Sequence, residues 1–212
     1  MNKKKLIWQL PFLILLIVGT VLIIRQQRAM PYQTNSGMVF GTVYNITYEC
    51  DSDLHQAIKA ELQKVDNSLS PFNDHSIITA INQNQDVKPD EMFLTVFNKA
   101  MEISCETDGA FDITVAPLVN AWGFGFKNGI QPNRQQVDSL CRLIGFEKVS
   151  LKDGRIVKQI PDIMLDCSAI AKGFGSDVVA HFLQRQGVKN FMVEIGGEIV
   201  ASGVIPNDCH GR

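Results

Sequence analysis

Phe191-Met192-Val193-Glu194-Ile195-Gly196-Gly197-Glu198-Ile199-Val200-Ala201-Ser202 decides the fold class. The short apolar run Phe191 to Ile195 predicts a buried strand, and Glu198 to Ser202 continues the sheet after the paired glycines. Gly196 and Gly197 suit a tight turn or a β-bulge, and equally the close approach of a ligand or neighbouring strand. Glu194, inside such a strand, needs a partner or solvent. Upstream, Ser176 to Gln186 reads as a helix, Ile163 to Asp166 as a strand, and Arg134 to Ile144 as a short helix. Val149–Lys152 and Arg155–Lys158 flank Asp153-Gly154, a hairpin signal. Two longer helices are predicted, over Asp53 to Ser68 and Asp90 to Thr107. The first carries Leu54, Ala57, Ile58, Leu62 and Val65 at helical spacing, and the second Phe93, Val96, Phe97, Ala100, Met101 and Ile103. Thr42 to Tyr48 is rich in β-branched and aromatic residues and reads as a strand. Helices mixed with hairpin-connected strands indicate an α+β domain, over residues 37–212. Residues 29–36 read as a polar linker before it.

The N-terminus has a different character. Lys3, Lys4 and Lys5 precede an uncharged apolar run from Leu6 to Ile24. Nineteen helical residues reach roughly 28 Å, close to the hydrocarbon thickness of a bilayer. No A-x-A pattern borders the run, so residues 1–28 are expected to be an uncleaved signal anchor, a single transmembrane helix. The lysines place the N-terminus in the cytoplasm and the domain on the periplasmic or extracytoplasmic side of the inner membrane. Five of the 20 basic residues lie in this segment and none of the 22 acidic ones, so the remainder is acidic, with a net charge of about −7. That balance argues against a nucleic-acid partner. Cys50, Cys105, Cys141, Cys167 and Cys209 contain no C-x-x-C, which excludes a zinc site of that kind, and sequence does not pair them.

Three stretches carry chemistry. In Gly109-Ala110-Phe111-Asp112-Ile113-Thr114-Val115-Ala116-Pro117-Leu118-Val119-Asn120-Ala121-Trp122-Gly123-Phe124-Gly125, Asp112 sits between two apolar residues. It either caps a helical turn near Thr114 or accepts a hydrogen bond from a ligand in an aromatic-walled pocket. Phe111, Trp122, Phe124 and Phe126 are either core residues or walls facing a flat ring, and by residue type alone they read as core. In Leu165-Asp166-Cys167-Ser168-Ala169-Ile170-Ala171-Lys172-Gly173-Phe174-Gly175 a strand enters, small residues follow and a helix leaves after Gly175. Such a run lets backbone groups approach a phosphate, with Lys172 as a point charge; it is also compatible with an ordinary strand-to-helix turn. The third stretch is Glu194-Ile195-Gly196-Gly197-Glu198, described above.

In this order and spacing these stretches resemble the ApbE family of FAD:protein FMN transferases. Gly37-Met38-Val39-Phe40-Gly41-Thr42 is similar to the family's opening G-x-x-M-G-T element. Leu69-Ser70-Pro71-Phe72, Ser76-Ile77-Ile78 and Ile81-Asn82 follow its next motif. Gly109–Gly125 matches nearly residue for residue, Asp166–Phe174 matches with Cys167 as the odd residue, and Ile195–Glu198 supplies the final turn. The resemblance implies an ApbE-like, T-fold-like mixed sheet with packed helices. It implies that Phe40, standing where the family has Met, contacts FAD; that Phe72, Ala110, Phe111 and Asp112 line the flavin or adenine site; that Asp166 and Lys172 bind FAD; and that the Ala169 carbonyl is a Mg2+ ligand.

The implied reaction is a phosphoryl transfer. Magnesium bridges the FAD diphosphate, a Ser or Thr hydroxyl of a target flavoprotein attacks the FMN phosphorus, and AMP leaves. The family's His general base and D-x-x-x-T pair have no counterpart here and are expected beyond Arg212. No catalytic residue is therefore assigned within the 212 residues, and the chain as it stands is expected to be inactive. His210 does not match the family's His segment. Two alternatives are a Mg-dependent FAD diphosphatase and a non-catalytic, membrane-tethered flavin-binding module.

Overall fold

The computed structural model describes residues 11–21, 30–123 and 131–204. Its centre is an antiparallel sheet of order β1-β2-β5-β6, formed by β1 (Tyr32–Val39), β2 (Thr42–Glu49), β5 (Phe191–Ile195) and β6 (Glu198–Ser202). Side chains alternate across a strand, so Tyr44, Ile46, Tyr48, Phe191, Val193 and Ile195 all fall on one face, and all are buried. Two helices cover that face, α1 (His55–Leu69) and α6 (Ser168–Arg185). Ile58, Leu62, Val65 and Leu69 form the buried stripe of α1.

A second core lies beyond α1. It is built on α3 (Glu91–Glu106), whose Phe93, Val96, Phe97 and Ala100 pack with Val65, Leu69, Ile163 and Leu165. Asp90 caps α3 by accepting from the Phe93 N–H at 2.7 Å, and the same oxygen accepts from Ser68 at 2.8 Å, joining the two helices. The shorter elements are α2 (Ile77–Asn82), α4 (Ala116–Ala121), α5 (Arg134–Cys141) and a separate hairpin of β3 (Val149–Lys152) and β4 (Arg155–Lys158). Mixed helices and antiparallel strands make this an α+β domain, as the sequence predicts.

Four sequence expectations are corrected or bounded. Residues 32–36 are not linker: they form the first half of β1, paired with residues 45–49 of β2. A polar stretch is legible as strand only once its partner is known, because an edge strand needs apolar residues on one face at most. Ile163–Asp166 is no strand; side chains replace a sheet partner. Helix α6 begins at Ser168, eight residues earlier than predicted. Gly173 and Gly175 obscure it, since each weakens a helix by about 1 kcal/mol relative to Ala. The predicted anchor falls largely on residues 1–10 and 22–29, outside the described residues. Residues 11–21 are helical and carry exposed apolar side chains such as Phe12 and Leu15. Among the described residues no helix is long and apolar enough to cross a membrane.

The hairpin turns at Asp153-Gly154 and Gly196-Gly197 agree with the sequence. Asp153 and Gly154 have φ of 49° and 73°, and Gly196 and Gly197 of 56° and 92°. Ile195 pairs with Glu198, so the paired glycines form a tight two-residue turn and not a bulge. The turn between β1 and β2 is formed by Phe40 (φ 52°) and Gly41 (φ 73°), between the paired Val39 and Thr42. Positive φ at both central residues is the type I′ arrangement, which an aromatic side chain adopts at a steric cost.

Candidate functional site

A cavity of about 330 Å³ opens where the two cores meet. Phe40, from the β1–β2 turn, packs against both cores and forms one wall. The end of α1 contributes Ser70, Pro71 and Phe72 to another. That turn is pinned by Ser76, which donates to the Ser70 carbonyl at 2.7 Å while capping α2 through the Thr79 N–H. Ala116, Val119 and Asn120 of α4, Ala171 and Lys172 of α6, residues 164–166, and Thr42 and Asn82 also line it.

The wall made by residues 163–166 shows how a segment with no strand partner is held. Asn82 donates to the Leu165 carbonyl at 2.9 Å and accepts from the Leu165 N–H at 2.8 Å, mimicking a neighbouring strand. The Lys158 ammonium donates to three carbonyls, Ile163 at 2.9 Å, Ile81 at 3.1 Å and Asn82 at 3.4 Å. Burial lowers the Lys158 pKa, partly offset by the Asp162 charge. Asp166 then donates its N–H to Ile113 at 2.7 Å, and its carboxylate accepts from the Ser168 N–H at 2.7 Å, at the start of α6. Neither Asn82 nor Lys158 was assigned a role from sequence. Asn82 stands in the sequence only as one residue of a motif, and nothing local marks Lys158, because acceptors such as Ile81 and Asn82 lie in a distant segment.

Lys172 reaches over the cavity toward the β5–β6 turn. Its Nζ stands 3.4 Å from the Gly196 carbonyl and 3.9 Å from Glu198 Oε1. Glu194, by contrast, faces away from the core and accepts from Asn45 at 3.0 Å.

The structure thus brings Phe40, Phe72, Asp166 and Lys172 together from four segments. Ala110, Phe111, Asp112 and Ala169 do not line this cavity. Ala110 is exposed, and Phe111 packs on the α3 core. Asp112 is a staple: one oxygen accepts from the Thr114 N–H and hydroxyl at 2.8 and 2.7 Å, the other from the Phe146 N–H at 2.8 Å. Thr114 in turn accepts from the Gly145 N–H at 2.8 Å. Phe124 and Phe126 lie outside the described residues.

The described residues do not by themselves fit a magnesium ion. No group of three or more His, Cys, Asp or Glu is clustered among them. Ala169 lies in the first turn of α6, where a carbonyl serves the helix's own i to i+4 bonding. A hard cation needs about six oxygen ligands, and one carbonyl supplies only the first.

A model of the ApbE family matches residues 40–210. This chain belongs to the ApbE family. Its ApbE match begins at Phe40 and so contains the whole cavity described above. The chain is 38% identical over 180 residues to the FAD:protein FMN transferase of Vibrio cholerae, an alignment covering 80% of this chain and 54% of that protein. It is 36% identical over 185 residues to the FAD:protein FMN transferase of Haemophilus influenzae, covering 79% and 54%. The solved structure of the flavin transferase ApbE from Vibrio cholerae superposes with a TM-score of 0.78 at 35% identity, covering 82% of this chain and 60% of that one. The α+β architecture is therefore the ApbE fold, and the chain spans about half the length of the curated relatives it matches.

Proposed function

We propose that this chain supplies the FAD-binding part of an FAD:protein FMN transferase, which moves FMN from FAD to a Ser or Thr of a target flavoprotein and releases AMP. The supporting observation is the convergence of Phe40, Phe72, Asp166 and Lys172 on one cavity within a chain of the ApbE family. The residues divide the ligand chemically. Phe40 and Phe72 offer flat apolar surfaces to a ring system. Asp166, an acceptor, suits ribityl hydroxyls or a ring N–H and repels phosphate. Lys172 attracts the diphosphate and leaves it toward the β5–β6 turn. Magnesium enters this reading from family membership; when bound it would neutralise charge on the diphosphate. The described residues do not build its site.

Localisation belongs to the same proposal. The exposed apolar side chains of residues 11–21 suit a segment whose burial partner is lipid, with the domain on the extracytoplasmic side.

The test is incubation of the full-length protein with FAD and an acceptor protein. Flavin fluorescence retained on the acceptor in a denaturing gel supports transfer. Release of free FMN and AMP without labelling would identify a diphosphatase, and FAD bound and recovered intact a flavin-binding module.

A further inference from the structure

Among the described residues Lys172 is the cation that lines the cavity, yet its ammonium is drawn toward the turn behind it. Gly196 presses that turn against two cavity residues, Thr42 and Lys172. A Cβ added to Gly196 would lie 2.7 Å from Thr42 Cγ2 and 3.1 Å from Lys172 Cδ. Ser176, buried in α6 one turn beyond Lys172, shares its hydroxyl proton between the Lys172 carbonyl at 3.1 Å and the Glu198 carbonyl at 3.3 Å. The backbone of Glu198 is thereby fixed against the helix that carries Lys172. The Glu198 carboxylate stands 3.9 Å from the ammonium, and among the described residues it makes no other ion pair. The Glu198 side chain is about half exposed and that of Lys172 about one-third, so the pair is weakly held and exchangeable.

We infer that Glu198 is a positioning residue for Lys172: it retains the ammonium at the back of the cavity when no anion is present and releases it to a phosphate when one enters. This rests on reading the cavity as an FAD site. The consequence is selectivity by charge. A diphosphate carries more negative charge than one carboxylate and displaces it, whereas an uncharged flavin does not recruit the lysine. Glu198 also lowers the affinity for any phosphorylated ligand, because its charge repels the ligand as well as holding the lysine.

The test is calorimetric binding of FAD and of riboflavin, which lacks phosphate, to the full chain and to Glu198→Gln. The substitution removes charge and keeps shape. FAD should bind about 2- to 5-fold more tightly at low salt, with the gain shrinking as salt is raised. Riboflavin affinity should not change. In a Lys172→Met background, Glu198→Gln should change FAD affinity by less than in the wild type, since the coupling is then absent. A gain in binding separates this role from loss of structure, which weakens both ligands. If Lys172→Met weakens FAD binding while Glu198→Gln leaves it unchanged or weaker, the role of Glu198 is wrong and the pocket stands. Failure of the wild-type chain to bind FAD would remove the pocket reading and this inference with it.

Discussion

The ring of Phe40 lies across Gly175: a Cβ added to that glycine would stand 2.8 Å from Phe40 Cε2 and 3.3 Å from Cζ. The contact joins the β1–β2 turn to the middle of α6, and it sets where the ring meets the cavity. Gly175→Ala forces the ring aside. The helix gains about 1 kcal/mol from replacing glycine, which offsets much of the packing strain. We expect thermal stability to change little while FAD affinity falls several-fold, measured by melting and calorimetry on the same samples. Unchanged FAD affinity would mean that the ring's placement is irrelevant to the ligand.

Phe40 itself holds a left-handed conformation that costs a non-glycine residue roughly 1–2 kcal/mol. Its ring recovers a similar amount, about 1.5–3 kcal/mol for full burial and less here, by packing on both cores. The terms nearly cancel, so Phe40→Gly should be close to neutral in urea denaturation. It should nonetheless bind FAD more weakly, because the wall is gone. A destabilisation above about 3 kcal/mol would show that the ring is chiefly a core residue.

The cavity wall at Leu165 depends on Asn82. Asn82→Leu removes two hydrogen bonds and strands the N–H and carbonyl of a buried residue, at a cost of about 2–4 kcal/mol. Lys158→Met leaves three carbonyls short of a donor and should cost about as much. Both act on one segment, so the double variant should lose less than the sum, by more than about 0.5 kcal/mol. Strict additivity in denaturant titrations would break the link between them.

Cys167 gives the domain an alkaline limit. Burial, with the adjacent Asp166 charge, pushes its thiol from 9.0 up to about 12. The unfolded chain loses this proton near pH 9 and the folded one keeps it, so the unfolded state binds fewer protons in that window. Stability therefore falls as pH rises from about 9 toward 12. Tyr48, raised by burial to about 12, adds a second loss above about pH 10. Cys167→Ala should flatten the first part of the decline in melting temperature and leave the second. In the native protein iodoacetamide should label the exposed Cys105 and Cys141 while Cys167 stays unmodified, as read by peptide mass spectrometry.

Much of the domain is determined by the sequence alone, because its signals are local. The alternation through β2 and β5, the spacing of α1 and α3, and the turns at Asp153-Gly154 and Gly196-Gly197 each follow from interactions within a few residues. The motifs were legible for the same reason: a run such as Gly109–Gly125 is contiguous. Only the tertiary structure decided what those residues do. Tyr32–Ser36 became a strand when β2 supplied hydrogen bonds that composition does not reveal. Asp112 became a staple because Phe146 and Thr114 reach it. Residues 163–166 became a wall because Asn82, some eighty residues away, stands in for a strand. Phe40, Phe72, Asp166 and Lys172 form one cavity only because hairpin, helix end and loop converge on it, and such convergence over long sequence separations leaves no periodic trace in the chain.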